Sequence, residues 1–163
     1  MYPDLVKARS GDTSRTAPAR TEPAASKRST PAVPSNRESI EAAYRAFHDR
    51  DVDALLATFD PDIAWVHPDS MDSYGLGGTK KGHAGVKEFL AHVPTVLGGM
   101  RLEPLEIIES GDRVVVFGIR HFTSRSGRTE THQFVHSWTF QGGKATRMED
   151  IFDTVLLHRL IES

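Results

Sequence analysis

The sequence predicts an α+β fold, a cone-shaped α+β barrel in which a curved antiparallel sheet wraps around N-terminal helices and encloses an internal pocket. Apolar residues with helical spacing come first, from residue 36 to about residue 59. Four long segments rich in β-branched and aromatic residues follow between residues 101 and 152, joined by short glycine-containing turns. Helices followed by a meander of strands are typical of α+β domains. A single sheet curved around helices leaves a pocket that suits a small molecule.

The composition limits the classes of protein to which the chain can belong. Its 163 residues suffice for one domain with a sizeable core, and its net charge of −2 disfavours nucleic-acid binding. The absence of cysteine excludes disulfides and thiolate chemistry. The sequence contains no apolar run of roughly 20 residues, and no apolar region follows its N-terminal basic residues, so we expect no secretory signal. We therefore expect a cytoplasmic protein with no membrane partner.

Residues 1–35 differ in composition from the rest of the chain. They are rich in proline, serine, threonine, alanine and arginine and contain few large apolar residues. Such a segment cannot bury enough apolar surface to offset the entropy lost on ordering, so it is predicted to be a flexible tail. The folded domain is predicted to span residues 36–163.

The first elements of this domain are two helices and a strand. Ser35 or Asn36 is a suitable N-cap for the first helix, which has glutamates in its opening turns. The apolar stripe of this helix consists of Ile40, Ala43, Tyr44 and Phe47. A second helix is predicted over residues 52–59, followed by a turn at Asp60–Pro61–Asp62. Residues 63–67 then form a short strand that stops at Pro68.

The middle of the chain is predicted to be a loop and a third helix. Residues 69–81 are polar and contain three glycines, which predicts a mobile loop able to cover a pocket mouth. A helix over residues 82–92 is ended by Pro94. A short helix over residues 155–161 closes the chain. The four long strands are predicted at about 101–109, 113–123, 129–140 and 144–152.

The last two of these strands form a hairpin that presents polar groups among hydrophobic ones. Alternation gives the first strand one face made of His132, Phe134, His136, Trp138 and Phe140. The matching face of the second strand consists of Thr146, Met148, Asp150 and Phe152. A buried imidazole or carboxylate is costly unless it is paired. His136 and Asp150 are therefore candidate functional residues.

Three segments of the chain resemble the nuclear transport factor 2-like superfamily, whose members include ketosteroid isomerases and SnoaL-like polyketide cyclases. Residues 44–68 resemble its opening, residues 82–90 its Gly-x-x-x-(Ile/Val)-x-x-Phe helix, and residues 147–153 its closing strand. The resemblance covers about residues 37–163. It is specific for the fold and says little about the reaction, because this fold hosts many chemistries.

The resemblance also implies roles for individual residues. His67 occupies the place of the general-base carboxylate of ketosteroid isomerases, and His136 that of their oxyanion-hole acid. Tyr44 lies within one position of their oxyanion-hole tyrosine. Asp150 resembles the closing-strand aspartate of limonene epoxide hydrolase-like members. SnoaL-like cyclases, which use a histidine and an aspartate without a cofactor, are the most similar group.

Physical chemistry alone makes the same residues suitable for proton transfer. Free imidazole titrates near ~6.5, so one histidine can accept a proton while another donates one. Asp150 beside His136 is expected to fix the tautomer of His136 and to raise its basicity. The hypothesis is a cofactor-free cyclase, isomerase or dehydratase with His136, Asp150 and His67 as catalytic residues. The residues predicted to bind a small hydrophobic substrate are Tyr44, Trp65, Phe134, Trp138, Met148 and Phe152.

Several alternatives stay open at this point. The domain could be a non-catalytic small-molecule binder or a dimeric interaction module, or it could hydrolyse an epoxide with Asp150 as the base. His136 could be a hydrogen-bonded core residue, and Asp150 could form a salt bridge with Arg147 or Arg120. His121 and His132 could join His136 in a metal site, but no tight ligand motif exists and no metal is expected.

An exposed face of such a sheet commonly pairs with a second copy of the chain. By analogy we expect a homodimer, with Val135 and Thr139 facing the partner.

Overall fold

The structure, a computed structural model, describes residues 32–163. Residues 1–31 of the predicted flexible tail, which spans residues 1–35, therefore lie outside the described part of the chain. The helices are α1 (Asn36–Asp49), α2 (Val52–Ala57), α3 (Gly82–Val96) and α4 (Thr154–Ile161). The strands are β1 (Phe59–His67), β2 (Gly78–Lys81), β3 (Gly99–Ser110), β4 (Arg113–Thr123), β5 (Thr129–Gln141) and β6 (Lys144–Phe152). A 3₁₀ helix spans Asp69–Tyr74.

These strands form one curved, unclosed sheet in the order β2-β1-β6-β5-β4-β3. All neighbouring strands are antiparallel except β1 and β6, which run parallel. The predicted α+β fold is therefore confirmed, with one parallel pairing in a sheet predicted to be antiparallel. In residues 32–163, no helix is long and apolar enough to cross a membrane.

Helix α1 begins at the predicted residue because its first turn is capped on both sides. The Ser35 side chain accepts a hydrogen bond from the backbone of Glu38, and the Glu38 side chain accepts one from the backbone of Ser35. This reciprocal arrangement is a capping box. Ile40 and Ala43 are fully or almost fully buried, so α1 places one face against the sheet.

The predicted turn at residues 60–62 is wrong, because strand β1 runs through it. The pairing of β1 with β6 shifts register between Phe59 and Ala64, and this irregularity accommodates Pro61, which has no N–H to donate. The Asp60 carboxylate accepts a hydrogen bond from the backbone of Asp62. Helix α2 also ends earlier than predicted, at Ala57.

The predicted mobile loop over residues 69–81 is also wrong. It contains the 3₁₀ helix and strand β2, which pairs antiparallel with β1. Met71 and Leu76 from this segment are buried. Helix α3 likewise extends beyond its predicted end, through Pro94 to Val96, since a proline in the last turn removes only one hydrogen bond.

The concave face of the sheet carries the inward side chains of three central strands in register. His136 of β5 lies opposite Val116 of β4 on one side and opposite Asp150 of β6 on the other. Gly118 lies opposite Phe134. Most of the buried side chains on this face are apolar, but it also carries the buried polar residues Arg120, His132, His136 and Asp150.

Gly118 leaves the space that the Phe134 ring fills, because a Cβ there would lie 2.5 Å from Phe134 Cζ and 2.6 Å from the Glu103 carbonyl oxygen. We expect Gly118→Ala to lower the free energy of unfolding by about 1–3 kcal/mol, since overpacking displaces the ring and the strand. Denaturant titration measures this change. Gly99→Ala is the control, because its Cβ would make only an ordinary 3.6 Å contact with Thr123. Equal stability of the two variants would contradict the prediction.

Candidate functional site

An apolar cavity lies between the concave face of the sheet and the helices α1, α2 and α3. Its volume is about 60 Å³. Five polar side chains line it among many apolar ones: Tyr44, His67, Arg120, His136 and Asp150. They come from five elements, α1, β1, β4, β5 and β6, which are spread along the whole domain.

Arg120 and Asp150 form a buried ion pair at the centre of this group. Arg120 Nη2 donates to Asp150 Oδ1 at 2.8 Å and to Oδ2 at 2.9 Å, and the two side chains are 5% and 2% exposed. Burial alone would raise the pKa of Asp150, but Arg120 and the two neighbouring histidines outweigh burial and hold that pKa well below its usual range. Asp150 is therefore a carboxylate at neutral pH.

Three aromatic rings fix the guanidinium of Arg120 in place. Its Cζ lies 5.5, 5.1 and 4.8 Å from the ring centroids of Phe122, Phe134 and Phe152. Cation–π attraction of this kind strengthens when the cation is shielded from water. The guanidinium is therefore held in a single orientation relative to the cavity.

His136 is engaged at both ring nitrogens. Arg120 Nη2 lies 2.9 Å from His136 Nε2, and Tyr44 Oη lies 2.6 Å from Nδ1. Because a guanidinium only donates, Nε2 must accept, so we assign the proton to Nδ1, which donates to Tyr44 Oη. Burial lowers the pKa of His136, although the nearby Asp150 acts in the opposite direction. His136 is thus a neutral imidazole.

The predicted neighbour Asp150 does raise the pKa of His136, by its charge and by hydrogen bonding, but burial lowers that pKa by more. Asp150 Oδ1 lies 3.2 Å from His136 Nε2, but the nearer Arg120 Nη2 hydrogen bonds with both groups. The tautomer of His136 is therefore set by Arg120. Desolvation outweighs the attraction of the carboxylate, so the pKa of His136 is lowered rather than raised.

His67 has one ring nitrogen without a partner. Its Nε2 lies 3.4 Å from Asp150 Oδ2, whereas the buried Nδ1 has no hydrogen-bond partner. Its ring stacks on Phe89 with a centroid distance of 4.2 Å. Burial lowers the pKa of His67 to about 3 despite the attraction of Asp150. The contact with Asp150 favours a proton on Nε2, which leaves a lone pair free on Nδ1.

Tyr44 keeps its proton at neutral pH. Burial raises the pKa of its phenol above the ordinary value. Since Tyr44 Oη accepts from His136, the hydroxyl hydrogen of Tyr44 is free to donate to another group. Tyr44 and His67 therefore offer a cavity ligand one donor and one acceptor.

The structure brings together the three residues predicted to be catalytic, His67, His136 and Asp150, and their catalytic roles stay predictions. Five of the six residues predicted to bind substrate line the cavity: Tyr44, Trp65, Trp138, Met148 and Phe152. Phe134 is instead packed behind the site, with its ring 4.4 Å from that of His136.

The sequence suggests Arg120 only as a possible salt-bridge partner of Asp150, so Arg120 is a site residue that the sequence-based prediction misses. The available signal was its inward position on β4, between Gly118 and Phe122, where alternation requires an apolar side chain. Arg147, the other salt-bridge partner considered for Asp150, instead pairs with Glu149.

The histidines considered for a metal site do not converge. His121 Nε2 lies 2.9 Å from Glu103 on the outer face of the sheet, whereas His132 lies 3.3 Å from Glu130. Within residues 32–163, no group of three or more histidine or acidic side chains is arranged to hold a metal ion.

Comparison with known proteins identifies the fold and the family. The SnoaL-like domain family matches residues 40–148. The crystal structure of TerC, co-crystallised with polyporic acid, is 67% identical with a TM-score of 0.77, and the match covers 78% of this chain and 98% of that one. A nuclear transport factor 2-like protein of unknown function from Burkholderia pseudomallei is 50% identical, with the same TM-score and coverage.

A more distant structure shares the fold alone. IdmH, a putative polyketide cyclase from Streptomyces antibioticus, is 16% identical with a TM-score of 0.66, and the match covers 80% of this chain and all of that one. No curated protein matches the chain. The family match spans more than half of the 163 residues and agrees with the observed helices, curved sheet and internal cavity. The chain therefore belongs to the family of SnoaL-like domains.

Proposed function

We propose that this protein is a cofactor-free acid/base enzyme that acts on a hydrophobic polycyclic or polyketide-like small molecule by cyclisation, isomerisation or dehydration. One observation carries the proposal: two complementary groups line the same apolar cavity. His67 is neutral and has a ring nitrogen without a partner, and Tyr44 keeps its proton. A base and a hydrogen-bond donor in a water-poor site suit proton transfer at a carbon next to a carbonyl group.

In this mechanism His67 Nδ1 removes the proton from that carbon. The electron pair of the broken C–H bond moves to the carbonyl oxygen, and Tyr44 Oη–H stabilises the resulting enolate. Asp150, 3.4 Å from His67 Nε2, stabilises the imidazolium that forms. The imidazolium then returns the proton to a different carbon, to a departing hydroxyl group, or to the alkoxide formed when the enolate attacks a carbonyl group.

His136 has a positioning role in this scheme. Both of its nitrogens are occupied, by Arg120 and by Tyr44. Its Nδ1–H bond to Tyr44 Oη aims the phenol and polarises its hydroxyl group, since hydrogen-bond chains strengthen one another in a poorly polarisable interior. The proposal thus moves the base from His136 to His67.

The relative at 67% identity supports aryl-substituted hydroxyquinones as ligands of the site, because polyporic acid is a dihydroxybenzoquinone carrying two phenyl rings. Since the ring carbons of polyporic acid carry no hydrogen, we propose that the molecule from which His67 removes a proton is a related aryl-substituted cyclic ketone. The cavity of about 60 Å³ is smaller than the ~300–1,000 Å³ typical of ligand sites. A neighbouring groove of about 460 Å³ shares part of its wall with the cavity. The shared residues include Phe47, Leu90 and Met100, and we propose that their side chains move aside when substrate enters.

Epoxide hydrolysis with Asp150 as base is disfavoured by the ion pair. Both carboxylate oxygens accept from Arg120, so neither oxygen is free to take a proton from an attacking water molecule. A non-catalytic binder would use the same cavity, and it is distinguished from an enzyme by the substitution of His67 described next.

We expect His67→Gln to lower kcat by about 10²- to 10⁴-fold, because the free ring nitrogen that accepts the proton is lost. Turnover is measured by mass spectrometry on a panel of polycyclic ketones, polyketides and aryl hydroxyquinones, and affinity by calorimetry. Affinity should change only a few-fold. His121→Gln is the control, since His121 lies on the outer face beside Glu103. A variant that changed affinity alone would identify a binder.

The pH dependence of stability tests whether His67 is buried in its neutral form. An unfolded histidine takes up a proton near pH ~6.5, whereas folded His67 does so only near about 3. Between these values the unfolded state binds more protons, so stability falls as the pH drops. We expect the melting temperature to fall from pH ~7 to pH ~5.5, a range in which free carboxylates stay largely ionised, and to fall less in His67→Gln. His48→Gln, at an exposed position, should keep the slope of the wild type, and equal slopes in all three proteins would refute neutral burial.

We also propose that the outer face of the sheet forms a homodimer interface. Val135 and Thr139 face outward there, beside the exposed apolar residues Ile108, Phe117 and Ile151. Charges of both signs border this apolar centre, including Glu106 on β3 and Arg147 on β6. A two-fold interface requires such self-complementarity, because each patch meets its own copy.

Ile151→Glu should disrupt this dimer, because it places a charge in the apolar centre of the interface. We expect the dimer dissociation constant to rise by at least about tenfold, measured by light scattering during size-exclusion chromatography. Val155→Glu is a matched control, since Val155 is 57% and Ile151 55% exposed but Val155 lies on α4. A wild-type protein that is monomeric at micromolar concentration would rule the interface out.

A further inference from the structure

We propose that the cavity binds its ligand as an oxyanion, and that the Nε–H of Arg120 selects the ionised oxygen. The inference rests on the proposed function and deepens it, because it specifies the protonation state of the molecule that the site takes. Its evidence is the balance between free donors and free acceptors around the cavity.

Within residues 32–163, five buried side-chain atoms lack a hydrogen-bond partner: Trp65 Nε1, His67 Nδ1, Arg120 Nε, His132 Nδ1 and Trp138 Nε1. All except the His132 atom belong to residues that line the cavity. Unsatisfied buried polar atoms are rare and costly in folded proteins. Because four of the five belong to residues that line one cavity, we infer that a ligand entering the cavity supplies the missing partners.

Three of these four atoms can only donate, namely the Arg120 Nε–H and the indole N–H groups of Trp65 and Trp138. The Trp138 N–H also faces Tyr44, whose pKa is raised by burial and lowered by hydrogen bonding with this N–H, so Arg120 and Trp65 supply the two donors with no protein partner in the described residues. The hydroxyl hydrogen of Tyr44 is a further free donor. On the acceptor side His67 Nδ1 stands alone among the cavity atoms without a partner, because both oxygens of Asp150 already accept from Arg120. A ligand that satisfies this set must present more acceptors than donors.

Arg120 binds Asp150 in a way that leaves its Nε–H free to bind a ligand. All of its hydrogen bonds in the described structure start from Nη2, so the Nε–H remains available. The rings of Phe122, Phe134 and Phe152 surround the guanidinium and hold it in its orientation. A fixed, charged and unpartnered donor forms its strongest hydrogen bond with an ionised oxygen.

An ionised hydroxyquinone or enol meets the requirement better than its neutral form. Ionisation converts a hydroxyl donor into an acceptor and spreads the negative charge over the conjugated oxygens. Before the ligand arrives the site carries no net charge, because Arg120 and Asp150 cancel and both histidines are neutral. An anion entering the cavity therefore meets free donors without opposing a net negative charge.

The test compares two ligands with the same carbon skeleton at pH 7, where polyporic acid is ionised. Polyporic acid carries two ionisable hydroxyl groups, and 2,5-diphenyl-1,4-benzoquinone carries none. We expect calorimetry to show that the wild-type protein binds polyporic acid at least about tenfold more tightly. The visible spectrum of bound polyporic acid should be that of the ionised chromophore.

Arg120→Lys is the informative variant, because lysine keeps a positive charge beside Asp150 but has no second N–H edge. It should lose most of the preference for polyporic acid and keep its affinity for diphenylbenzoquinone. The double variant Arg120→Met with Asp150→Leu removes the pair without leaving an unpaired buried charge, and it should lose the preference as well. Arg45→Met, at an exposed position on α1, should behave as the wild type.

Equal affinity of the wild type for both ligands, a neutral spectrum for bound polyporic acid, or an unchanged preference in Arg120→Lys would each overturn the inference while leaving the proposed acid/base site intact. Failure of the wild type to bind either ligand would instead remove the proposed ligand class, and the oxyanion assignment with it. Preferential binding without turnover of any substrate would support the oxyanion site and count against the enzyme.

Discussion

The ion pair between Arg120 and Asp150 determines the state of every other polar group in the cavity. Through one nitrogen, Arg120 Nη2, it holds both oxygens of Asp150 and the Nε2 atom of His136. That bond places the proton of His136 on Nδ1, and this proton in turn engages Tyr44 Oη and frees the phenol hydrogen. The Nε2 atom of His67 also faces the paired carboxylate. A single buried pair therefore sets the direction of the whole hydrogen-bond network.

Such a pair is a weak source of stability, because the desolvation of two charges offsets most of their attraction. Removing one partner alone leaves an uncompensated buried charge and typically costs about 3–5 kcal/mol. An apolar pair of similar volume would fill the same space without the cost of desolvating two charges. The position of the pair among groups with free hydrogen-bonding capacity indicates that its value to the protein is chemical.

The long strands and the four α-helices could be predicted from the sequence, because their apolar spacing and turn residues are local signals. The structure departs from prediction where pairing between distant segments decides the outcome. Strand β2 has four residues, no strong strand pattern and three polar side chains, and it exists because β1 offers it a partner edge. Pairing with β6 on both sides of Pro61 likewise keeps β1 extended through this residue, where local preference predicts a turn.

The site shows the same division between local and distant information. Alternation along a predicted hairpin placed His136 and Asp150 on one inward face, and their registry across β5 and β6 agrees with it. Arg120 reaches Asp150 from β4, across the intervening strand β5, so their contact depends on the order and curvature of three strands. Alternation within β4 could have identified Arg120 as an inward charge, but not its partner or its effect on His136.

The two cavity histidines show how one fold assigns different tasks to the same side chain. Both are buried and neutral, so burial alone does not separate them. What separates them is the number of free nitrogens: His136 uses both in fixed hydrogen bonds, whereas His67 retains one. A ring held at both ends can transmit orientation but cannot take up a proton without breaking a bond. The capacity to accept a proton therefore lies with the histidine at the end of β1, and the hairpin that carries His136 supplies the frame that positions the donor opposite it.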